Sequence, residues 1–147
     1  MTMPATLSEF GKELKKLLGS SDAQNLLHGE EEWGRGGCWT LASAVAEFLG
    51  PPAELWAVSE THPGDLEDRV VPVSHVVVRY EDLFIDFSGT QTEKQLIKNL
   101  EREGYSEPEL KPMTRRLARE AAGYGIPCDV DGANELLRIL RRKFGPS

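Results

Sequence analysis

A glycine-rich segment leads into a cysteine at the start of a predicted helix. From Gly34 to Ala42 the chain reads GRGGCWTLA, with Cys38 directly after the last glycine. A thiol attacks a carbonyl as its thiolate, and the first turn of a helix stabilises that anion through its dipole and free N–H groups. The glycines would let a substrate approach the sulfur and leave backbone N–H groups to hold an oxyanion. This segment alone is equally compatible with a buried structural cysteine.

His75 and Asp86 are the residues whose types best suit a partnership with Cys38. His75 opens the apolar run Val76–Val78, and Asp86 follows the apolar run Leu83–Ile85. A two-residue turn between the runs would bring Asp86 to the face of the sheet that carries His75. A carboxylate beside an imidazole holds its tautomer, which is the role of the third member of a catalytic triad. The same two side chains could also form a structural pair without a nucleophile, because a buried acid needs a partner.

Other combinations of reactive residues fit known sites less well. The glycines before Cys38 lack both the third glycine of a dinucleotide-binding loop and the lysine of a P-loop. No pair among the histidines and cysteines has the spacing of zinc ligands. We therefore predict no metal and no cofactor. His28 and His62 are assigned to surface or loop positions, and Cys128 is interpreted as a spare core thiol.

Apolar periodicity predicts the elements that must position these residues. Strand patterns cover Ala53–Ser59, Val73–Tyr80 and Leu83–Phe87, and a tight hairpin joins the last two. Helical spacing predicts helices over residues 6–18, 38–50, 92–103, 113–122 and 132–143. This order indicates a single α+β domain over residues 1–147. Within it we distinguish an N-terminal helix at 6–18, a catalytic-like core at 34–91 and a C-terminal helical part at 92–144.

The segment Glu60–Pro72 is predicted to be a long polar loop. Loops of this length are usually functional or disordered. Its four acids predict a negatively charged mouth to the site, which would favour cationic or neutral substrates: Glu60, Asp65, Glu67 and Asp68. The alternative is that these acids serve solubility alone.

Composition and charge narrow the expected partners and location. The 147 residues carry a net charge of −7, and residues 1–104 hold 9 Lys and Arg against 18 Asp and Glu. This balance argues against nucleic acid, because phosphate binding needs a positive surface. No apolar run reaches the roughly 20 residues of a membrane span, and the first residues lack a signal-peptide pattern. We expect a cytoplasmic protein without a membrane partner.

The motifs resemble those of papain-like peptidases and transglutaminases. In that superfamily a Gly-x-Cys-Trp motif opens a helix, a later histidine opens a strand, and an Asp or Asn lies on the next strand. Here the corresponding residues are Cys38, His75 and Asp86. The glycine-rich segment and the triad spacing also resemble, more weakly, those of arylamine N-acetyltransferases. The resemblance implies a small domain whose nucleophile helix packs on a short antiparallel sheet, with flanking helices.

The residues around the cysteine depart from the papain pattern at one position. Papain has a glutamine six residues before its nucleophile that donates a hydrogen bond to the oxyanion, whereas this chain has Glu32 there. A carboxylate cannot donate that bond, and the indole N–H of Trp33 is an alternative donor. We predict that Trp33, Gly37 and Trp39 contact the substrate.

Together these features predict a cysteine-dependent hydrolase or acyl transferase that attacks an amide, ester or thioester. Peptidase, amidase and deamidase reactions all share the first half of this chemistry. The substrate would be a peptide, a protein or a small amide or acyl compound. The alternative is a catalytically silent member of the same fold that binds a protein partner through Glu60–Pro72.

Overall fold

The computed structural model describes residues 6–123 and 128–145. The described residues form six helices: α1 (Leu7–Leu18), α2 (Ser21–Gln24), α3 (Cys38–Leu49), α4 (Glu93–Arg102), α5 (Arg115–Gly123) and α6 (Val130–Phe144). Capping explains several boundaries, since Thr6 accepts a hydrogen bond from the Glu9 backbone and Thr92 forms a complete capping box with Gln95. The five predicted helices are confirmed to within about two residues at each end, whereas the single turn of α2 was not predicted.

Five strands form one antiparallel sheet between the helical segments. They are β1 (Glu54–His62), β2 (Arg69–Tyr80), β3 (Leu83–Asp86), β4 (Gly89–Thr92) and β5 (Glu109–Pro112). Their order across the sheet is β4-β3-β2-β1-β5, and every neighbouring pair is antiparallel. The α+β class is confirmed. The C-terminal part is not purely helical, because β5 crosses back to pair with β1.

The β2–β3 hairpin has the predicted register. Tyr80 pairs with Leu83 and Val78 pairs with Ile85. The two-residue turn between the strands begins at Glu81, which adopts a positive φ of 58°. Two-residue turns that match the twist of a hairpin commonly need this conformation. The hairpin therefore brings the end of β3 level with the middle of β2.

The prediction of a long loop at Glu60–Pro72 is wrong. β1 continues to His62 and β2 begins at Arg69, so only residues 63–68 connect the two strands. Thr61 pairs with Val70 across this extension, and β-branched residues favour extended backbone. No strand residue of the extension is fully buried, and the sequence lacks the apolar alternation that marks a half-buried strand. We call the segment from 60 to 72 the ribbon.

An irregularity in β2 lies directly before His75. Val58 pairs with His75 and Glu60 pairs with Val71, so one residue on β1 faces three on β2. Bulges of this kind bend a strand and re-aim its side chains, and they are over-represented beside active sites. The bulge therefore separates the exposed ribbon from the buried half of β2.

Hydrophobic clusters cover both faces of the sheet. Val76 and Val78 belong to the larger cluster with α1, α3, α5 and α6, whereas Val77 belongs to the smaller cluster with α4. Successive side chains in a strand point to opposite faces, so the two clusters lie on opposite sides. Within the larger cluster, Phe48 of α3 is fully buried, and burial of such a side chain contributes about 1.5–3 kcal/mol. This packing fixes α3 against the sheet.

Candidate active site

Cys38 is the first residue of α3, and its position depends on close packing of the glycine-rich segment. A Cβ on Gly37 would lie 3.0 Å from the backbone oxygen of Glu32 and 3.2 Å from Cε3 of Trp33. Only glycine therefore fits at this position without displacing the loop. The Gly37 N–H donates to the Glu32 carbonyl at 3.1 Å, so this N–H is not free for an oxyanion. As the N-cap of α3, Gly37 supplies no side-chain acceptor to the first turn of the helix.

His75 and Asp86 meet in the interior, as their register predicts. His75 Nε2 lies 3.6 Å from Asp86 Oδ2, and the two side chains are 1% and 5% exposed. Neither ring nitrogen of His75 has a hydrogen bond of normal length with any described residue. Because Nε2 faces the carboxylate, Nδ1 is the nitrogen left for another partner. The pair is close enough for a strong electrostatic interaction, since little water screens it.

The pKa of His75 depends on its burial and on two neighbouring side chains. Burial is the largest influence on the pKa of the imidazole and lowers it, because a dry environment disfavours the charged ring. The Asp86 carboxylate and then the Cys38 thiol act in the opposite direction and together raise the pKa to about 9. Both residues therefore lie near enough to His75 to favour its protonated form.

Asp86 is held by a chain of polar side chains. Its Oδ1 accepts hydrogen bonds from the Ser88 backbone at 2.8 Å and from Gln91 Nε2 at 2.9 Å. The Gln91 carbonyl oxygen in turn accepts from the Asn99 side chain of α4. These bonds use one carboxylate oxygen and leave Oδ2 to face His75. Gln91 was not predicted because β4 is too short to be recognised from periodicity, and Asn99 was not predicted because only tertiary packing brings α4 to the site.

Cys38, His75 and Asp86 line the same small cavity. Apolar side chains from α1, α3, β2 and β3 complete its walls. The cavity has no room for a water molecule, and Cys38 is 2% exposed. The three residues that the sequence predicts as a triad are thus brought together in a dry, closed site.

An open cleft of about 320 Å³ lies beside the closed cavity. Its lining comes from the glycine-rich segment, β1, β2 and the turn after α4: Gly34, Arg35, Gly36, Glu60, Ser74, Glu103, Gly104 and Tyr105. The Tyr105 and His75 rings have centroids 6.1 Å apart. Burial raises the pKa of the Tyr105 phenol well above its ordinary value, and Cys38, Glu103 and Glu60 raise it further. Tyr105 therefore lines the cleft and lies near the ring of His75, and no feature of the sequence indicated this position.

The three residues predicted to contact substrate lie around the start of α3 but outside the cleft lining. Trp33 is 4% exposed, and its indole N–H has no hydrogen-bond partner among the described residues. Trp39 is partly buried and packs against the larger hydrophobic cluster, and Gly37 is buried. Contact of Trp33, Gly37 and Trp39 with a substrate stays a prediction.

The remaining reactive residues lie elsewhere. His28 is exposed and its Nε2 lies 2.7 Å from Asp129 Oδ2, while His62 Nε2 lies 3.8 Å from Glu60 Oε1. Cys128 is partly buried with its sulfur 3.4 Å from Ser43 Oγ, and neither it nor Cys38 is in a disulfide. Of the four acids predicted at the mouth of the site, Glu60 alone lines the cleft. The other three lie in the exposed turn at the tip of the ribbon: Asp65, Glu67 and Asp68.

Comparison with known proteins yields no family model, curated protein or solved structure that matches this chain. Across residues 6–123 and 128–145, no helix combines the length and apolar character needed to cross a membrane. Over the same residues, no group of three or more His, Cys, Asp or Glu side chains is arranged to hold a metal ion.

Proposed function

We propose that this protein is a cysteine-dependent hydrolase or acyl transferase with Cys38 as its nucleophile. The observation that carries the proposal is the meeting of Cys38, His75 and Asp86 in one buried cavity. A helix that begins at the cysteine and packs on an antiparallel sheet also supports a papain-like or transglutaminase-like fold. In such a fold the histidine and the acid occupy neighbouring strands, as they do on β2 and β3.

The proposed reaction uses each side chain at a stated atom. The Cys38 thiolate attacks the substrate carbonyl carbon, and protonated His75 gives its Nδ1 proton to the departing amine, alcohol or thiol. Asp86 stays ionised and orients the ring through Nε2. Water, or an amine in a transferase, then attacks the thioester while His75 takes its proton, and the Cys38 thiolate leaves beside the protonated His75. The first-turn N–H groups of α3, including that of Cys38, stabilise the oxyanion.

Substrate entry requires a change from the closed arrangement. The thiol is buried and the cavity beside it is dry, so no carbonyl reaches the sulfur while these walls stay in place. Tyr105 lines the open cleft, and its ring centroid lies 6.1 Å from that of His75, which lines the closed cavity. We propose that displacement of its ring joins the cleft to Cys38. Closure after binding would strengthen the electrostatic interactions around the reacting atoms.

A second candidate function is a catalytically silent domain that binds a protein partner. Burial of Cys38 favours this candidate, because a structural cysteine is commonly buried. The ribbon offers a contact surface, since Leu66 is 100% exposed and Val70 is 52% exposed. Under this hypothesis the pair of His75 and Asp86 serves only stability.

An acyl-enzyme trap separates the two candidates. We expect activated thioesters and peptidyl vinyl sulfones to modify the protein once, at Cys38, as located by peptide mass spectrometry. Cys128→Ala should leave this labelling unchanged, and Cys38→Ala should abolish it while the protein stays folded. Labelling of both cysteines at similar rates, or of neither, would support the silent binding domain instead.

A further inference from the structure

The open cleft beside the closed cavity has the size and position of a substrate subsite. Its volume of about 320 Å³ is at the lower end of the range for small-molecule sites, roughly 300–1,000 Å³. Gly36 of its lining lies two residues before Cys38, and Ser74 lies directly before His75. The lining of the cleft therefore includes a residue that is close in the chain to Cys38 and a second residue that is close in the chain to His75.

The charges of the cleft favour a cation. Glu60 and Glu103 contribute two carboxylates against the single guanidinium of Arg35. The Glu60 side chain is 15% exposed, and its ion pair is a distant one, 3.8 Å from His62. No described residue forms an ion pair within 4.0 Å of Glu103 or Arg35. A sheltered carboxylate attracts a cation more strongly than an exposed one, because solvent screens it less.

An unused hydroxyl provides an independent indication of a ligand. Ser74 lines the cleft, yet its Oγ is buried and has no hydrogen-bond partner among the described residues. Leaving a buried hydroxyl unpaired is costly, so a folded protein normally supplies a partner for it, which can be a water, an ion or a ligand. A primary ammonium has three N–H donors and no acceptor. Ser74 Oγ and the carboxylates of Glu60 and Glu103 are among the acceptors that the lining of the cleft offers to such a group.

We propose that the cleft binds the primary ammonium of the acyl part of the substrate, as in a lysine-like acyl group. This inference rests on the proposed nucleophile, because it assigns the carbonyl of the same group to Cys38. With a lysine ester, the thiolate would attack the carbonyl, the alcohol or thiol would leave with the His75 proton, and water would release free lysine carboxylate. Arg35 carries a positive charge and therefore weakens binding of the cation.

Matched thioesters test the proposal with the full-length protein. The probes are the thiobenzyl esters of Nα-acetyl-lysine and Nα-acetyl-norleucine, which have similar length and differ in the terminal ammonium. We expect kcat/KM to be at least about tenfold higher for the lysine ester, since a partly buried carboxylate pairs with its charge. Glu60→Gln and Glu103→Gln should each move this ratio toward one, and Arg35→Gln should increase it.

The variants are chosen to separate local contact from general charge. In Glu60→Gln the amide oxygen can still accept the Ser106 N–H, which now donates to Glu60 Oε1 at 2.9 Å. Glu67→Gln at the tip of the ribbon removes the same charge outside the cleft and should leave the ratio unchanged.

Equal turnover of both esters would overturn the ammonium site and leave the nucleophile intact. Lysine preference that survives both cleft variants would overturn the ammonium site as well. Absence of acylation by either ester would overturn the nucleophile, and the subsite with it.

Discussion

The N-termini of α3 and α6 contain similar residues in very different arrangements. Each helix begins at or just after a cysteine, and each lies near a histidine paired with an aspartate. At α6 the acid caps the helix, because Asp129 Oδ1 accepts the Gly132 N–H at 3.0 Å while Oδ2 pairs with His28. At α3 the N-cap is Gly37, which offers no side-chain acceptor. No side-chain cap therefore competes with an anion for the first N–H groups of α3, whereas Asp129 already takes up the Gly132 N–H at the start of α6.

The two histidines differ in burial, as the two helices differ in capping. The His28 side chain is 71% exposed and the His75 side chain is 1% exposed. Solvent screens the interaction of His28 with Asp129, so it contributes little beyond the cap. Cys128 contacts Ser43 rather than an imidazole. A cysteine, a histidine and an acid therefore make a candidate site only where the helix start is uncapped and water is excluded.

The largest contrast is expected from replacing the two aspartates. In Asp86→Asn the side-chain oxygen can still accept from Ser88 and Gln91, but an NH₂ group then faces His75 and selects the wrong tautomer. We expect turnover of a thioester to fall roughly 10²- to 10⁴-fold, with the fold preserved. Asp129→Ala should leave turnover unchanged and lower the free energy of unfolding by about 1 kcal/mol through loss of the cap. Similar turnover in wild type and Asp86→Asn would mean that the carboxylate has no part in catalysis.

The second contrast is in the titration of the two histidines. NMR should give a pKa of about 9 for His75, above the ordinary 6.5, and Asp86→Asn should lower it more than Cys38→Ala. His28 also has a raised pKa, first because of its hydrogen bond to Asp129, and neither variant should change it. An unaltered His75 titration in Cys38→Ala would show that the thiol and the imidazole do not interact.

The sign of the pH effect on stability follows from the same shift. His75 binds its proton more tightly in the folded protein than in the unfolded chain. Its contribution to the free energy of unfolding is complete below about pH 6.5 and is lost as the pH rises through about 9. Denaturant unfolding of wild type and Asp86→Asn over this range should therefore converge toward alkaline pH.

The smallest effect is expected at the barrier between cleft and thiol. Tyr105→Ala should raise the rate of Cys38 alkylation by iodoacetamide by about tenfold, because reagent access limits reaction of a buried thiol. Tyr105→Phe keeps the ring and should react like wild type, and the rate at Cys128 should not change in either variant. Thermal unfolding controls for general loosening, since Tyr105 also packs against the smaller cluster. An unchanged rate in Tyr105→Ala would place the entrance elsewhere.

The sequence was sufficient to predict those elements whose form depends on residues close together in the chain. The helix predicted from Cys38 and the two-residue turn between Tyr80 and Leu83 are both found in the structure, since both depend on residues close in the chain. The ribbon was missed because none of its strand residues is fully buried and its sequence carries no apolar alternation. Gln91, Asn99, Glu103 and Tyr105 were missed for a different reason. They reach the site through tertiary packing of β4, α4 and the following turn, which leaves no periodic signal near Cys38.

The tight cavity around Cys38 also determines how the thiol encounters oxidants. Peroxide is larger than water, and it converts accessible thiolates to sulfenic acid and then to irreversible products. With the walls closed, the sulfur is sheltered from this chemistry, whereas each opening that admits a substrate admits peroxide as well. Under the proposed mechanism, we expect Cys38 to be oxidised by peroxide faster during turnover than at rest, with protection while an acyl group occupies the sulfur. In that mechanism, the rate of oxidative damage to Cys38 is set by how often the cavity opens.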